Sequence, residues 1–430
     1  DGAAWIHEDE IEDVALPLYQ GVMIWQLDFS VAAYRGGAGL HAKWVEAGCE
    51  RKVIESQYLI SEDVAKKATQ WATSVRLGFR GVQNATNQRT MIACLIPGFP
   101  CGNSIPTLRT GCLVTDLALL AALVSFPLDR VLRMKMSQNN VNWFYVSELP
   151  VPRSLGMASR NVAMLENVSL LTAAGEQFAP LWLWMGQTSA YRRQWALAHH
   201  ERLRLRCMLD AVVAELYGLE WDDLSWILRE CDYPADRVQD NAFTRTLDPK
   251  GFWRVDKNRD PELRHTVLTM AAFRELKELI SSQGDRQKGI EAFYAMNGGE
   301  GWMLPETLRL ADLGLGHDER SEKAQLVRAK LGERFLPWQS EITPEESWKE
   351  CHLHARNILG ADGYDRLVAE LAGMPEGVQE DTEWPARAAE PAPSYGVDAL
   401  GSQLRLFTPG QKDLSGDDAG DVRLGRNHRR

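Results

Sequence analysis

Two short polar stretches carry the side chains best suited to reading the edges of DNA bases. The first runs Arg80-Gly-Val-Gln-Asn-Ala-Thr-Asn-Gln-Arg89, with Thr90 at its end. Arginine offers paired donors that match guanine, and an asparagine or glutamine amide both donates and accepts, as adenine requires. Arg80, Gln83, Asn84, Asn87, Gln88 and Arg89 supply those groups within one stretch. The same composition also describes a solvated loop whose Asn and Thr side chains bond their own backbone. The second stretch is Lys135-Met-Ser-Gln-Asn-Asn-Val-Asn142, followed by Trp143, Phe144 and Tyr145. Lys135 suits a phosphate, and Asn139 and Asn142 suit base edges. The aromatic trio suits stacking on an exposed base or burial in a core.

Other clusters are weaker. The segment Tyr191 to Arg206 places Arg192, Arg193, His199, His200, Arg202, Arg204 and Arg206 on one expected helix. They suit a row of phosphates or ion pairs with acids on neighbouring helices. Cys351-His352-Leu353-His354 is the nearest approach to a metal cluster. On a helix, positions 352 and 354 point to different faces, and none of the 7 cysteines forms a CxxC pair, so no metal is expected. No Gly-rich phosphate loop, GxSxG or HExxH occurs, and no catalytic residue is assigned.

The elements that must hold these stretches follow from pattern. Val22–Asp28, Val75–Arg80 and Thr90–Ile96 read as strands, and Trp143–Val146 as a further one. Ser61 caps a helix that continues through Lys67. Leu113–Lys135 reads as a packed helix that Pro127 kinks or divides. Long helices then dominate: Tyr191–Tyr217 up to Gly218, Pro261–Ile280, Glu322–Leu331 and Pro344–Leu359. Beyond about residue 376 the chain turns to Glu, Pro, Ala, Gly, Ser and Asp, the composition of a flexible tail. Within it the short run Leu404–Phe407 is a candidate docking segment.

Charge adds a local contrast. The net charge of the 430 residues is -11, which argues against DNA binding on average. Yet between residues 64 and 147 nine lysines and arginines face only Asp116 and Asp129. That is either a surface that follows phosphates or a set of charges spread over several faces. No apolar run is long enough for a membrane helix, and the acidic start is not a signal peptide. A cytoplasmic protein with free thiols is expected. The absence of an initiating Met suggests a piece of a longer chain.

Four blocks in order resemble the large adenine-N6 DNA methyltransferases of single-chain type IIG restriction–modification systems and of phage-defence systems of the DISARM and BREX kind. They are Leu16–Asp28, Phe79–Pro97, Leu119–Pro152 and Arg206–Leu219. The segment 301–360 is similar to the DISARM-like branch. In that family the second block lies in the target-recognition domain. The resemblance supports Arg80, Asn87, Arg89, Thr90, Asn142 and Phe144 as DNA-facing, with departures at Gly81 and Gln88, where the family carries acids. The Asn/Asp-Pro-Pro-aromatic tetrapeptide and the Gly-rich turn that hold the flipped adenine and the methyl donor have no counterpart in this sequence.

The expectation is an α+β chain. A mixed α/β target-recognition domain spans 1–153, a mainly helical domain 154–375 and a flexible tail 376–430. Its partner is double-stranded DNA, with defence-system proteins as further partners and S-adenosylmethionine bound outside this chain. The alternatives are a standalone specificity subunit, or a helical protein-interaction scaffold that never touches DNA; the 15 tryptophans suit the latter.

Overall fold

A computed structural model describes residues 15–48, 52–62, 64–65, 75–155, 162–186 and 189–372. The tail expected over 376–430, and residues 63, 66 and 67 of the helix expected after Ser61, lie outside the described residues. The chain is mixed α+β, with small antiparallel sheets first and helices through most of the rest. The leading strands are β1 (Ala15–Leu18), β2 (Ala32–Gly36), β3 (Lys43–Glu46), β4 (Tyr58–Ser61), β5 (Arg76–Phe79), β6 (Ala93–Ile96) and β7 (Thr107–Leu108). β1 pairs with β4, β2 with β3, and β5 lies between β6 and β7, all antiparallel.

β5 and β6 are buried along their whole length, as a continuous apolar strand should be. Gly78 is required at the centre of β5, because a Cβ there would lie 2.7 Å from Ile96 Cγ1 and 3.0 Å from Ile105 Cγ2. The run Val22–Asp28 is buried as expected but is not a strand. Gly21–Met23 forms a 3-10 turn, Trp25 bridges to Asp28, and Leu27 takes a φ of 57. A short apolar run reports burial and leaves the backbone path open, and here the N–H groups are satisfied by the turn and by Ala93 O.

Pro127 divides the next apolar segment into α1 (Leu113–Leu123) and α2 (Phe126–Lys135). Ser125 Oγ accepts from Leu128 N at the start of α2, and Pro127 sits in its first turn, where its missing N–H is harmless. The Tyr191–Tyr217 helix is interrupted, as a 3-10 turn Tyr191–Gln194 and a helix His199–Leu216, ending before Gly218 at φ 73. Pro261–Leu263 is likewise a 3-10 turn ahead of the helix His265–Gln283. The helix expected over 322–331 reduces to one turn, Arg328–Leu331, behind the short strand Gln325–Leu326. The last helix runs further than expected, Pro344–Ala372, with a break at Gly360. Among the described residues no helix is long and apolar enough to cross a membrane.

The core continues across residue 153 without a gap. Leu95 N donates to Thr172 Oγ1 at 2.9 Å, and Phe126 N to Asp210 Oδ1 at 2.8 Å. Phe126 meets Phe252 edge to face at 4.9 Å, and Arg202 Nη2 donates to Leu27 O at 2.9 Å. The sheet layer that carries the first polar stretch is therefore braced by the helices behind it.

Candidate nucleic-acid interface

The two polar stretches, over fifty residues apart in sequence, come together. The first is the connection between β5 and β6, closed at its base by Arg80 N donating to Ile92 O at 2.9 Å. The second lies along it: Gln83 N donates to Asn139 O at 3.1 Å, Val141 N donates to Gly81 O at 2.7 Å, and Val82 bridges to Asn140. A third strand of chain joins them, because Gly81 N donates to Ser104 O at 2.9 Å. Between the three lies an open groove of about 410 Å³, lined by Val82, Asn103, Asn140, Asn142, Trp143 and Phe144 among others.

Trp143–Val146 is a single helical turn, α3, and not a strand. Trp143 packs edge to face on Phe79 at 5.0 Å, and Val146 is buried. Residues three apart share a helix face, so burying 143 and 146 together selects the helical turn over an extended path. Phe144 is then turned outward and is 66% exposed.

The expected site residues divide into three groups. Asn87 and Asn142 are exposed, as are Asn139 and Lys135. Asn87 Nδ2 donates to Gln83 Oε1. Asn84 Nδ2 donates to Asn139 Oδ1 at 2.7 Å, while Asn84 Oδ1 accepts from Thr86 N at 2.9 Å. Gln83 is buried. These amides shape and stiffen the loop, part of what a solvated-loop reading anticipates. Lys135 pairs with Glu148 at 2.9 Å on the surface. Arg80 is half-buried, its stem against Gly21, and its guanidinium has no partner among the described residues. Partial burial lowers its pKa from the ordinary arginine value.

Arg89 and Thr90 do not face solvent, which corrects the expectation that they contact DNA. Arg89 is 3% exposed, forms an ion pair with Asp129 at 2.9 Å and lies 4.1 Å over the Phe126 ring. Thr90 is fully buried; its N–H donates to Asp129 Oδ1 at 3.1 Å and its hydroxyl to Asn84 O at 3.1 Å. Asp129 also accepts from Met91 N at 3.3 Å and from Arg133 Nε at 3.3 Å. Arg133 continues outward, donating to Asn87 O at 2.7 Å, Gln88 O at 2.6 Å and Gly251 O at 2.8 Å. Burial lowers the pKa of both guanidinium groups, and the Asp129 charge opposes that shift. The reason for the misreading is position: Arg89 stands at the inner end of the loop, where the buried run Arg89–Ile96 that leads into β6 begins.

The wider basic segment is consumed in the same way. Arg76 donates to Phe99 O, and Arg130 pairs with Asp248 at 3.1 Å and stacks on Trp226. Arg109 and Lys135 remain on the surface, and Lys66 and Lys67 lie outside the described residues. The arginines at 202 and 204 are structural too. Arg202 Nη1 donates to Leu171 O and Ala196 O, while Arg204 pairs with Glu201 and donates to Glu300 O and Trp302 O.

Val82, Asn103 and Asn140 are groove residues that sequence reasoning passed over. Asn103 stands in Cys101-Gly-Asn-Ser, a turn composition with no recognition signature of its own. Asp129 and Arg133, the hub behind the loop, stood in the third resembling block but carried no assigned role. Among the described residues no group of His, Cys, Asp or Glu is arranged to hold a metal ion. No family model matches this chain, and no curated protein or solved structure does either.

Proposed function

We propose that this chain is the DNA target-recognition and clamping part of a site-specific adenine-N6 DNA methyltransferase of a restriction–modification or phage-defence system. Base flipping would deliver the adenine to a pocket outside this chain, where S-adenosylmethionine supplies the methyl group. The observation that supports the reading is the convergence of the two amide-rich stretches into one exposed groove, with Arg80 unpaired beside it. Duplex DNA offers phosphates to Arg80, Arg109 and Lys135, and base edges to Asn87, Asn139 and Asn142.

Because most arginines of the basic segment are internal, few phosphates are neutralised and binding is weak. With roughly two to four phosphate contacts, the slope of log K against log salt is about -2 to -4. The test is binding of the 430-residue chain to random duplex across a salt series. Arg80→Ala is expected to reduce the slope by about one. No binding even at low salt, or an unaltered slope in the variant, would remove Arg80 from the DNA surface. The first of those outcomes would leave the protein-interaction scaffold as the better reading.

A further inference from the structure

We infer that the groove beside Phe144 holds one unstacked DNA base, the base left without a partner when its opposite nucleotide is flipped out. This rests on the DNA reading above and adds to it the place where the opened duplex is held.

Three features of the groove point to a base. First, Phe144 presents an aromatic ring that the protein leaves largely uncovered: it is 66% exposed, and its one aromatic neighbour among the described residues is Tyr145, edge-on at 5.4 Å. Its neighbours Trp143 and Val146 anchor the turn, so the ring is held out by a fixed backbone rather than by a free loop. Second, the amides of Asn103, Asn140 and Asn142 line the same groove, and none has a partner among the described residues. Asn142 precedes α3 without using its side chain as a cap. Amides that both donate and accept meet the Watson–Crick edge of any base, and that edge is free only when the base is unpaired. Third, the volume of about 410 Å³ is in the range of small-molecule sites, about 300–1,000 Å³. Val82 and Pro106 complete an apolar wall. A paired duplex would present Phe144 only with backbone and groove edges, against which an exposed phenyl ring gains little.

Among the described residues the groove is lined by amides, a hydroxyl and apolar side chains, groups suited to holding a base. An unpaired base stacks on an aromatic side chain whatever its identity, which suits a holding site more than a reading site.

The test uses the full chain and two duplexes that differ at one position. One is fully paired; in the other an abasic position stands opposite 2-aminopurine, a fluorescent base that reports stacking. The chain is expected to bind the abasic duplex about tenfold more tightly and to quench the 2-aminopurine. Phe144→Ala should bring the affinity ratio close to one and abolish the quenching, whereas Phe144→Trp should keep both. Phe144 is largely exposed, so an unchanged thermal midpoint is expected for both variants and checks that they fold. A ratio near one in the wild type, or one that Phe144→Ala leaves untouched, overturns this inference. If the paired duplex is still bound in a salt-dependent way, the target-recognition reading survives that result. If neither duplex binds at low salt, both fall together.

Discussion

Asp129→Asn should destabilise the fold by about 3–5 kcal/mol, because it removes the carboxylate that two buried guanidinium groups, Arg89 and Arg133, share. Asp129 is fully buried and receives Arg89 at 2.9 Å, Arg133 Nε at 3.3 Å and the N–H groups of Thr90 at 3.1 Å and Met91 at 3.3 Å. Asparagine keeps the volume but has one acceptor oxygen, and its NH2 group would face donors. Arg89→Ala attacks the same pair from the other side and opens a void under Phe126 and Phe252, so a loss of similar size is expected. The assay is urea unfolding followed by tryptophan fluorescence, read as a fall in midpoint at constant slope. Amide hydrogen exchange at Thr90 and Met91 should quicken in both variants. A loss below about 1 kcal/mol, the size of a surface ion pair, would refute the hub. If Arg89→Ala instead changed DNA sequence preference at full stability, the outward-facing role expected from sequence would be restored.

Two pH effects follow from a buried carboxyl and a partly buried histidine. Burial pushes the Asp116 carboxyl up to about 6, against bonds from Thr110. The folded state then holds a proton that the unfolded chain has released, so stability falls as pH rises from about 4 to about 6, by about 3 kcal/mol. Asp116→Asn should flatten that fall in a series of thermal midpoints; an unchanged profile would refute the shift. His199 goes the other way, pushed down to about 4 by burial and by the Arg259 and Arg206 charges. Its folded form stays neutral where the unfolded histidine takes a proton, so stability is lost as pH falls from about 6.5 towards about 4. His199→Gln should remove that loss, and equal acid sensitivity in the variant would count against it. The two windows overlap with opposite signs, so the wild-type profile alone reveals neither.

Legibility varied with how local the cause was. Pro127 and Ser125 carry their effect within one turn, and the division of α1 from α2 was readable from sequence. The strands β5 and β6 were readable because an apolar run bounded by turns has few other fates. Trp143–Val146 was not, since its helical turn depends on Phe79, sixty-odd residues earlier, offering a surface for Trp143. The same holds for Arg89: nothing within the loop marks it as inward, and its partner Asp129 lies forty residues on. The pairing of the two polar stretches rests on backbone bonds between distant segments, such as Gln83 N to Asn139 O, for which composition carries no signal.

Arg80 and Arg89 bracket one loop and offer the same chemistry to a reader of sequence, yet their surroundings assign them opposite tasks. Arg89 has a buried carboxylate and an aromatic ring beneath it, so its charge is balanced inside the protein and is unavailable to phosphate. Arg80 has neither, and keeps a cationic group beside the groove in a chain of net charge -11. If the proposed DNA-binding role holds, an acidic protein gains little from long-range attraction to DNA and must rely on groups placed in advance. The internal arginines make that placement possible: Arg133 grips the carbonyls of Asn87 and Gln88 while Asp129 holds Thr90 and Met91. A loop fixed in this way loses little freedom when it meets a partner. The two arginines should therefore separate cleanly by experiment, with loss of Arg80 changing the salt slope at unaltered stability and loss of Arg89 changing stability first.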